Sequence, residues 1–196
     1  MWWNGYHENL QNSCSRFESW HPRFALLKPT MTILPIKKYP EPILRKISEE
    51  VKEVTPEIKK LIEEMIETMI KSNGIGLAAS QVGVSKRVIV AATQKGPLVF
   101  INPKILRKSK ETELGEEGCL SFPGLYLKIK RSKWVEVEAI DINGRKIRLG
   151  IEEPLSGVML SRIIQHEIDH LDGILIIDRI SFWQRRKIRE KLAIKF

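Results

Sequence analysis

His166-Glu167-Ile168-Asp169-His170 satisfies the pattern H-E-x-x-H. Residues four apart on a helix, at about 100° per residue, stand on one face, so both imidazoles can close on a single metal ion. Glu167 turns aside from that face, which leaves its carboxylate to hold a water and move its proton instead of binding the ion. The chemistry such a pair supports is metal-assisted hydrolysis, and its family depends on the third ligand. A metzincin places a histidine six residues after the second motif histidine, past an intervening glycine. Gly173 is there, but the ligand position is Ile176. A thermolysin-like site takes a downstream glutamate, and Glu190 is available, but it sits among Arg185, Arg186, Lys187, Arg189 and Lys191. Pairing with Arg186 four residues before it is the simpler role. Cys119, in Glu117-Gly118-Cys119-Leu120-Ser121, is the remaining candidate. A thiolate with two imidazoles leaves the fourth tetrahedral position open to water, as a catalytic ion requires.

Gly74-Ile75-Gly76-Leu77-Ala78-Ala79 matches the G-x-G-x-x-A dinucleotide fingerprint in letters only. That fingerprint needs a strand before it and an acidic residue about 20 positions later. Here a helical pattern precedes it, and no Asp or Glu occurs between Glu67 and Glu111. The glycines instead suit a place where backbone comes close to an extended substrate, with the Gln81 amide just beyond able to donate.

The elements that must position these groups are partly legible. Thr55 reads as an N-cap, Pro56 as the first helical residue, and Ile58, Leu61, Ile62, Met65, Ile66, Met69 and Ile70 as an apolar face ending at Asn73-Gly74. Residues 87–91, 98–101 and 134–141 read as strands, the last turning at Asn143-Gly144 into 146–149. A second helix is expected from near Ser156 through the metal motif to Gly173. On it Met159 and Ile163 share the ligands' face, either as the wall of an apolar pocket or as ordinary core. A third helix is expected from Ser181 into the basic tail, held to the body by Phe182, Ile188 and Leu192. Helices mixed with hairpins predict an α+β fold and not a doubly wound sheet.

Bulk properties bound the rest. With 196 residues, 42% of them hydrophobic, the chain can bury one core. Its longest apolar runs fall far short of the roughly 20 residues that span a bilayer, so no membrane span is expected. The two cysteines, Cys14 and Cys119, make no disulfide framework, which points to the cytoplasm. A net charge of +9 favours polyanionic neighbours but sets no chemistry. Residues 1–30 carry Trp2, Trp3 and Trp20 among Asn and Ser, without periodicity, and lack an apolar secretory core. They read as a loosely ordered N-terminal extension, or as a start placed too early, and the catalytic domain as 31–196.

Three segments together resemble the peptide deformylase family: Gly74-Ile75-Gly76-Leu77-Ala78-Ala79-Ser80-Gln81, Glu117-Gly118-Cys119-Leu120-Ser121 and Gln165-His166-Glu167-Ile168-Asp169-His170. The resemblance runs from Met31 onward; residues 1–30 have no counterpart in it. It implies an α+β fold in which antiparallel β-sheets surround the H-E-x-x-H helix and a C-terminal helix closes the chain. It implies removal of the formyl group from N-formylmethionyl nascent peptides, with release of formate, by attack of metal-bound water. Cys119, His166 and His170 match the family's metal ligands, Glu167 its general acid/base, and Gln81 with the Leu120 N–H its oxyanion donors. Ile75, Gly76, Glu117 and Gly118 would flank the peptide. Fe²⁺ would be the resident ion, with Zn²⁺ or Ni²⁺ as substitutes, and the basic C-terminal helix would dock near the ribosomal exit. Two other readings compete. A zinc endopeptidase would share the chemistry but need an open cleft. A nucleic-acid module with a structural metal would need four ligands, yet the other Cys and His residues, His7, Cys14 and His21, all lie in 1–30.

Overall fold

The Thr55 hydroxyl accepts a hydrogen bond from the Ile58 N–H at 3.5 Å, which starts α1 (Pro56–Lys71) where the sequence places it. In the computed structural model, residues 32–93, 96–152 and 160–193 are described. α1 buries Ile62, Met65, Ile66 and Met69 and stops at Asn73, whose φ of 53° turns the chain away. Next come β1 (Gly76–Ala78), a 3₁₀ turn (Ala79–Val82), β2 (Val88–Ala91) and β3 (Leu98–Lys108). Then β4 (Thr112–Cys119) and β5 (Phe122–Ser132) form a two-stranded sheet. β6 (Trp134–Ile140) and β7 (Lys146–Glu152) complete an antiparallel five-stranded sheet in the order β1-β2-β3-β6-β7.

Alternation along β2 explains how the sheet sits between helices. Val88 and Val90 join α1 in one core, while Ile89 and Ala91 join α2 (Leu160–Leu171) in another. Both faces are covered, so all four residues are apolar and buried. The far side of α2 meets the β4–β5 sheet: Gln165 Nε2 donates to the Ser132 carbonyl at 2.8 Å, and Arg162 donates to the Ile129 carbonyl at the same distance. Every described residue of α2 is therefore buried, including Ser161, Arg162, Gln165, Glu167 and Asp169. Polar groups buried to this extent require partners, and those partners build the site.

Several sequence expectations change in extent. β3 runs to Lys108 instead of ending at 101; register breaks between Ile101 and Lys104, across Pro103, and between Ile105 and Arg107 interrupt its alternation, and the Asn102 side chain brackets the backbone N–H and carbonyl of Val51 at 2.8 Å each. β4 and β5 were not expected, and the glycine segment supplies an edge strand. The stretch before Leu160, including Ser156 and Met159, lies outside the described residues, as do residues 1–31. α3 (Phe182–Ala193) begins after Ser181, whose hydroxyl accepts from the Gln184 N–H. Ile188 packs against the cluster around Leu44 and Ile176, as expected, but Phe182 and its neighbour Trp183 are 67% and 69% exposed. Six helical residues separate Phe182 from Ile188, about 120° around the axis, so one face cannot bury both. The side chain of Leu192 lies outside the described residues. Among those described, no helix is long and apolar enough to cross a membrane.

Candidate active site

Cys119 ends β4 at a register break: Gly118 pairs with Tyr126, whereas Cys119 pairs with Phe122. Such a bulge re-aims a side chain. Here the thiol lies against the metal helix, with its sulfur 3.2 Å from His170 Nε2. One donor atom each from Cys119, His166 and His170 falls within 4.8 Å of the others. His166 points its Nδ1–H at Glu117 Oε2, 2.9 Å away, which leaves Nε2 as its ligand atom. The three donors fit a cation with an open fourth position, the donor set expected of a catalytic site.

Glu117 sits at the centre of a buried ionic network. The Arg131 fork reaches its two oxygens at 2.8 and 2.9 Å, and Arg162 donates to Oε1 at 2.9 Å. Burial alone would raise the Glu117 carboxyl, but hydrogen bonds from Arg131 and His166, together with their charges, hold it well below the usual carboxylate range. Arg131 also donates to Asp169 at 2.5 Å, and Arg179 closes on the same carboxylate from nearer the surface. One guanidinium thus joins the residue two before Cys119 to the residue one before His170.

The two imidazoles are pushed in opposite directions. Burial, then the charges of His166 and Arg131, drives His170 well below the ordinary value, which favours the neutral form that a metal would require. Burial also opposes the charge on His166, but the Cys119 sulfur and Glu117 outweigh it and raise His166 well above the ordinary value. Positive charge is therefore favoured beside the thiol. A cation binding there would displace that proton.

Burial raises the Glu167 carboxyl to about 7. Its Oε2 is buried with no hydrogen-bond partner among the described residues, poised for a group the protein itself does not supply. Gly76 of β1 leaves room for it. A Cβ at Gly76 would overlap Glu167 Oε1 and come within 2.8 Å of Ile163 Cγ2. Gly76→Ala is accordingly expected to lower turnover about 10²-fold by displacing the carboxylate. Its metal content should match the wild type; full turnover at equal metal loading would show that Glu167 tolerates the shift.

Gln81 is 1% exposed and held at both ends. Its Oε1 accepts the Ala78 N–H at 2.8 Å, so Nε2 faces Ser121 Oγ at 3.3 Å and the Cys119 sulfur at 3.5 Å. A cleft of about 490 Å³ opens onto these groups, lined in part by Ile75, Gly76, Gly118, Leu120, Ile163 and Glu167. Cys119, His166, Gln81 and Glu117 also reach it, while His170 is buried behind. Glu117, expected beside the peptide, spends both oxygens on the arginines and His166. Arg131, Arg162 and Asp169 had no role in the sequence reading. Only Arg162 carried a signal, a charge one helical turn before His166 on the same face; Arg131 is hidden in the mixed run Lys128 to Ser132, and Asp169 within the motif itself.

A buried H-E-x-x-H helix, a thiol delivered by a separate sheet and a carboxyl oxygen unpaired among the described residues, all at one cleft, are the features of a metal-dependent hydrolase. The sequence model of the polypeptide deformylase family matches residues 33–186. A peptide deformylase of Thermodesulfovibrio yellowstonii is 48% identical over 170 residues, which cover 84% of this chain and 99% of that protein. Two solved structures are also similar. The peptide deformylase of Ehrlichia chaffeensis in complex with actinonin has a TM-score of 0.78 at 38% identity, covering 84% of this chain and 98% of that one. The class I type b peptide deformylase of Acinetobacter baumannii, bound to Met-Ala-Ser, has a TM-score of 0.71 at 35% identity, covering 77% and 100%. The chain belongs to the peptide deformylase family. It is a hydrolase that removes the N-formyl group from newly made peptides.

Proposed function

We propose that Cys119, His166 and His170 hold the catalytic ion and that Glu167 is the general acid/base of deformylation. The observation that carries this is the Cys119 sulfur 3.2 Å from His170 Nε2, at a cleft also lined by Glu167, whose Oε2 is buried without a partner among the described residues. A divalent ion bound by these ligands supplies Lewis acidity and makes a water nucleophilic near neutral pH. Glu167 takes the proton of the attacking water, holds it within the cleft and returns it to the leaving amine nitrogen. The Gln81 amide, fixed by Ala78, and the Leu120 N–H donate to the formyl oxygen as it gains charge, each worth about 3 kcal/mol in sites of this kind. The products are formate and a peptide with a free N-terminal methionine, which is the form of the tripeptide bound to the Acinetobacter enzyme. Ile163 serves the methionine side chain and Ile75, Gly76, Glu117 and Gly118 flank the peptide, all five lining the same cleft; Met159 lies outside the described residues.

Fe²⁺ is the proposed native ion, with Zn²⁺ or Ni²⁺ as working substitutes, since thiolate and imidazole suit all three. Metal analysis of anaerobically purified protein tests this. The enzyme is proposed to act in the cytoplasm, and the basic residues Arg185, Arg186, Lys187 and Arg189 to meet ribosomal RNA; co-sedimentation with ribosomes should then weaken as salt rises. Residues 31–196 are proposed as the catalytic domain, with 1–30 dispensable.

Formate release from a formyl-Met peptide, with casein hydrolysis measured alongside, tests the central reading. Wild type and a chain starting at Met31 should both release formate and leave casein intact, while His166→Ala and His170→Ala should lose metal and activity together. Casein cleavage without formate release would favour the endopeptidase.

A further inference from the structure

Among the described residues, the sheet that delivers Cys119 has two strands and no pairing with the five-stranded sheet. A lone hairpin is marginally stable, so its attachments set where the thiol sits: the Tyr39 N–H and the Gln81 amide hold Ser121 beside it, at 3.0 and 3.3 Å, and α2 holds the strands that lead to it. Arg162, one helical turn before His166, makes a large part of that attachment. Its Nη1 donates to the Ile129 carbonyl on β5 at 2.8 Å, and its Nη2 to the Glu113 carbonyl on β4 at 3.0 Å. Nη1 also reaches Glu117 Oε1, two residues before Cys119. The guanidinium passes directly over Gly115, which pairs with Ile129 across the hairpin. A Cβ on Gly115 would lie 2.8 Å from both Cζ and Nη2 of Arg162. The side chain is 7% exposed, so these bonds are not traded with solvent.

We infer that Arg162 is a positioning residue for the metal site: threaded over Gly115, it fixes the hairpin bearing Cys119 against the helix bearing His166 and His170. The inference rests on the ligand set proposed above. Planarity matters as much as charge, because the guanidinium serves two carbonyls and a carboxylate at once. A lysine ammonium cannot hold all three in that geometry. Gly115 is the independent lever, since filling its space moves the guanidinium without changing any charge.

The test uses full-length, metal-loaded Arg162→Lys and Gly115→Ala, with wild type and Cys119→Ser in parallel. Loss of metal to excess chelator, kcat, KM and the thermal midpoint are measured on each. Both positioning variants are expected to release metal about 10- to 100-fold faster than wild type. Their kcat should fall, and KM should stay within about twofold. A lowered thermal midpoint with wild-type metal release and kcat would overturn the inference, leaving Arg162 a fold residue only. A raised KM alone would overturn it in favour of direct substrate contact. If Cys119→Ser loses its metal while the other two release theirs at the wild-type rate, the positioning role fails and the ligand set stands. If Cys119→Ser keeps its metal, the ligand set itself fails and takes the inference with it.

Discussion

Glu167→Ala is expected to keep its metal and lose about 10² to 10⁴ in turnover, the usual worth of a general acid/base. The geometry separates the two properties. The proposed metal donors, the Cys119 sulfur and one nitrogen each of His166 and His170, lie within 4.8 Å of one another, whereas the Glu167 carboxylate sits against Gly76 with Oε2 unpaired among the described residues. Removing it costs no ligand. Truncation also removes a buried group whose burial raises it to about 7, so the fold loses little that it relied upon. The pH profile follows from the same group. A base must be ionised to accept a proton, so wild-type activity should fall on the acid side as Glu167 takes one up. A cation bound beside it favours the charged form and moves that fall below about 7. Glu167→Ala should retain little activity and lack that acid limb. Metal content and formate release on one preparation decide the matter: near wild-type turnover with full metal would remove Glu167 from the mechanism, and loss of metal in an intact fold would make it a ligand.

Helical periodicity made α1 and the metal helix readable, because their apolar residues recur at the spacing of one face. Cys119 was legible by elimination once the histidine pair required a third donor. The β4–β5 sheet was not, and the reason lies in what it faces. Its inward positions include Glu117, Arg131 and Ser132, matched to Arg162, Gln165 and Asp169 on α2, so polar packs against polar along β4 and at the end of β5; β5 also carries an alternation, Leu125, Leu127 and Ile129 between Tyr126, Lys128 and Lys130, that the sequence reading passed over. Glycines compound this: Gly115 makes room for Arg162, and a Cβ at Gly118 would lie 2.8 Å from the Tyr126 ring. The glycine segment at 74–76 was read as a place where backbone meets an extended substrate; in the structure what crowds Gly74 and Gly76 is the protein's own Leu120, Ile163 and Glu167. The Glu167 carboxylate, the proposed acid/base, meets Gly76 through a contact between residues distant in sequence that no local pattern carries.

Arg131→Met should destabilise the protein by about 3 kcal/mol or more, the usual cost of breaking a buried ion pair from one side. Arg131 is buried and serves two carboxylates at once, Glu117 by its fork and Asp169 through Nη1. Methionine would fill the volume and leave both acids short of a donor. Arg162 and His166 would remain on Glu117, and Arg179, 41% exposed at its side chain, on Asp169. That compensation keeps the loss near the lower end of the range. In the wild type Glu117 is held below its ordinary value, so its stabilising contribution is fully present above about 4.5 and fades only as pH falls below that. Without Arg131, burial is opposed by fewer partners, and Glu117 should protonate at higher pH. A protonated Glu117 accepts less well from His166 Nδ1–H, so the acid limb of activity should shift upward as well. Urea unfolding at neutral pH, with the same metal bound to both proteins, and pH-rate profiles of both give the two readouts. An unfolding free energy within about 1 kcal/mol of wild type and an unmoved acid limb would mean that Arg131 does not hold the network that connects Cys119 to His170.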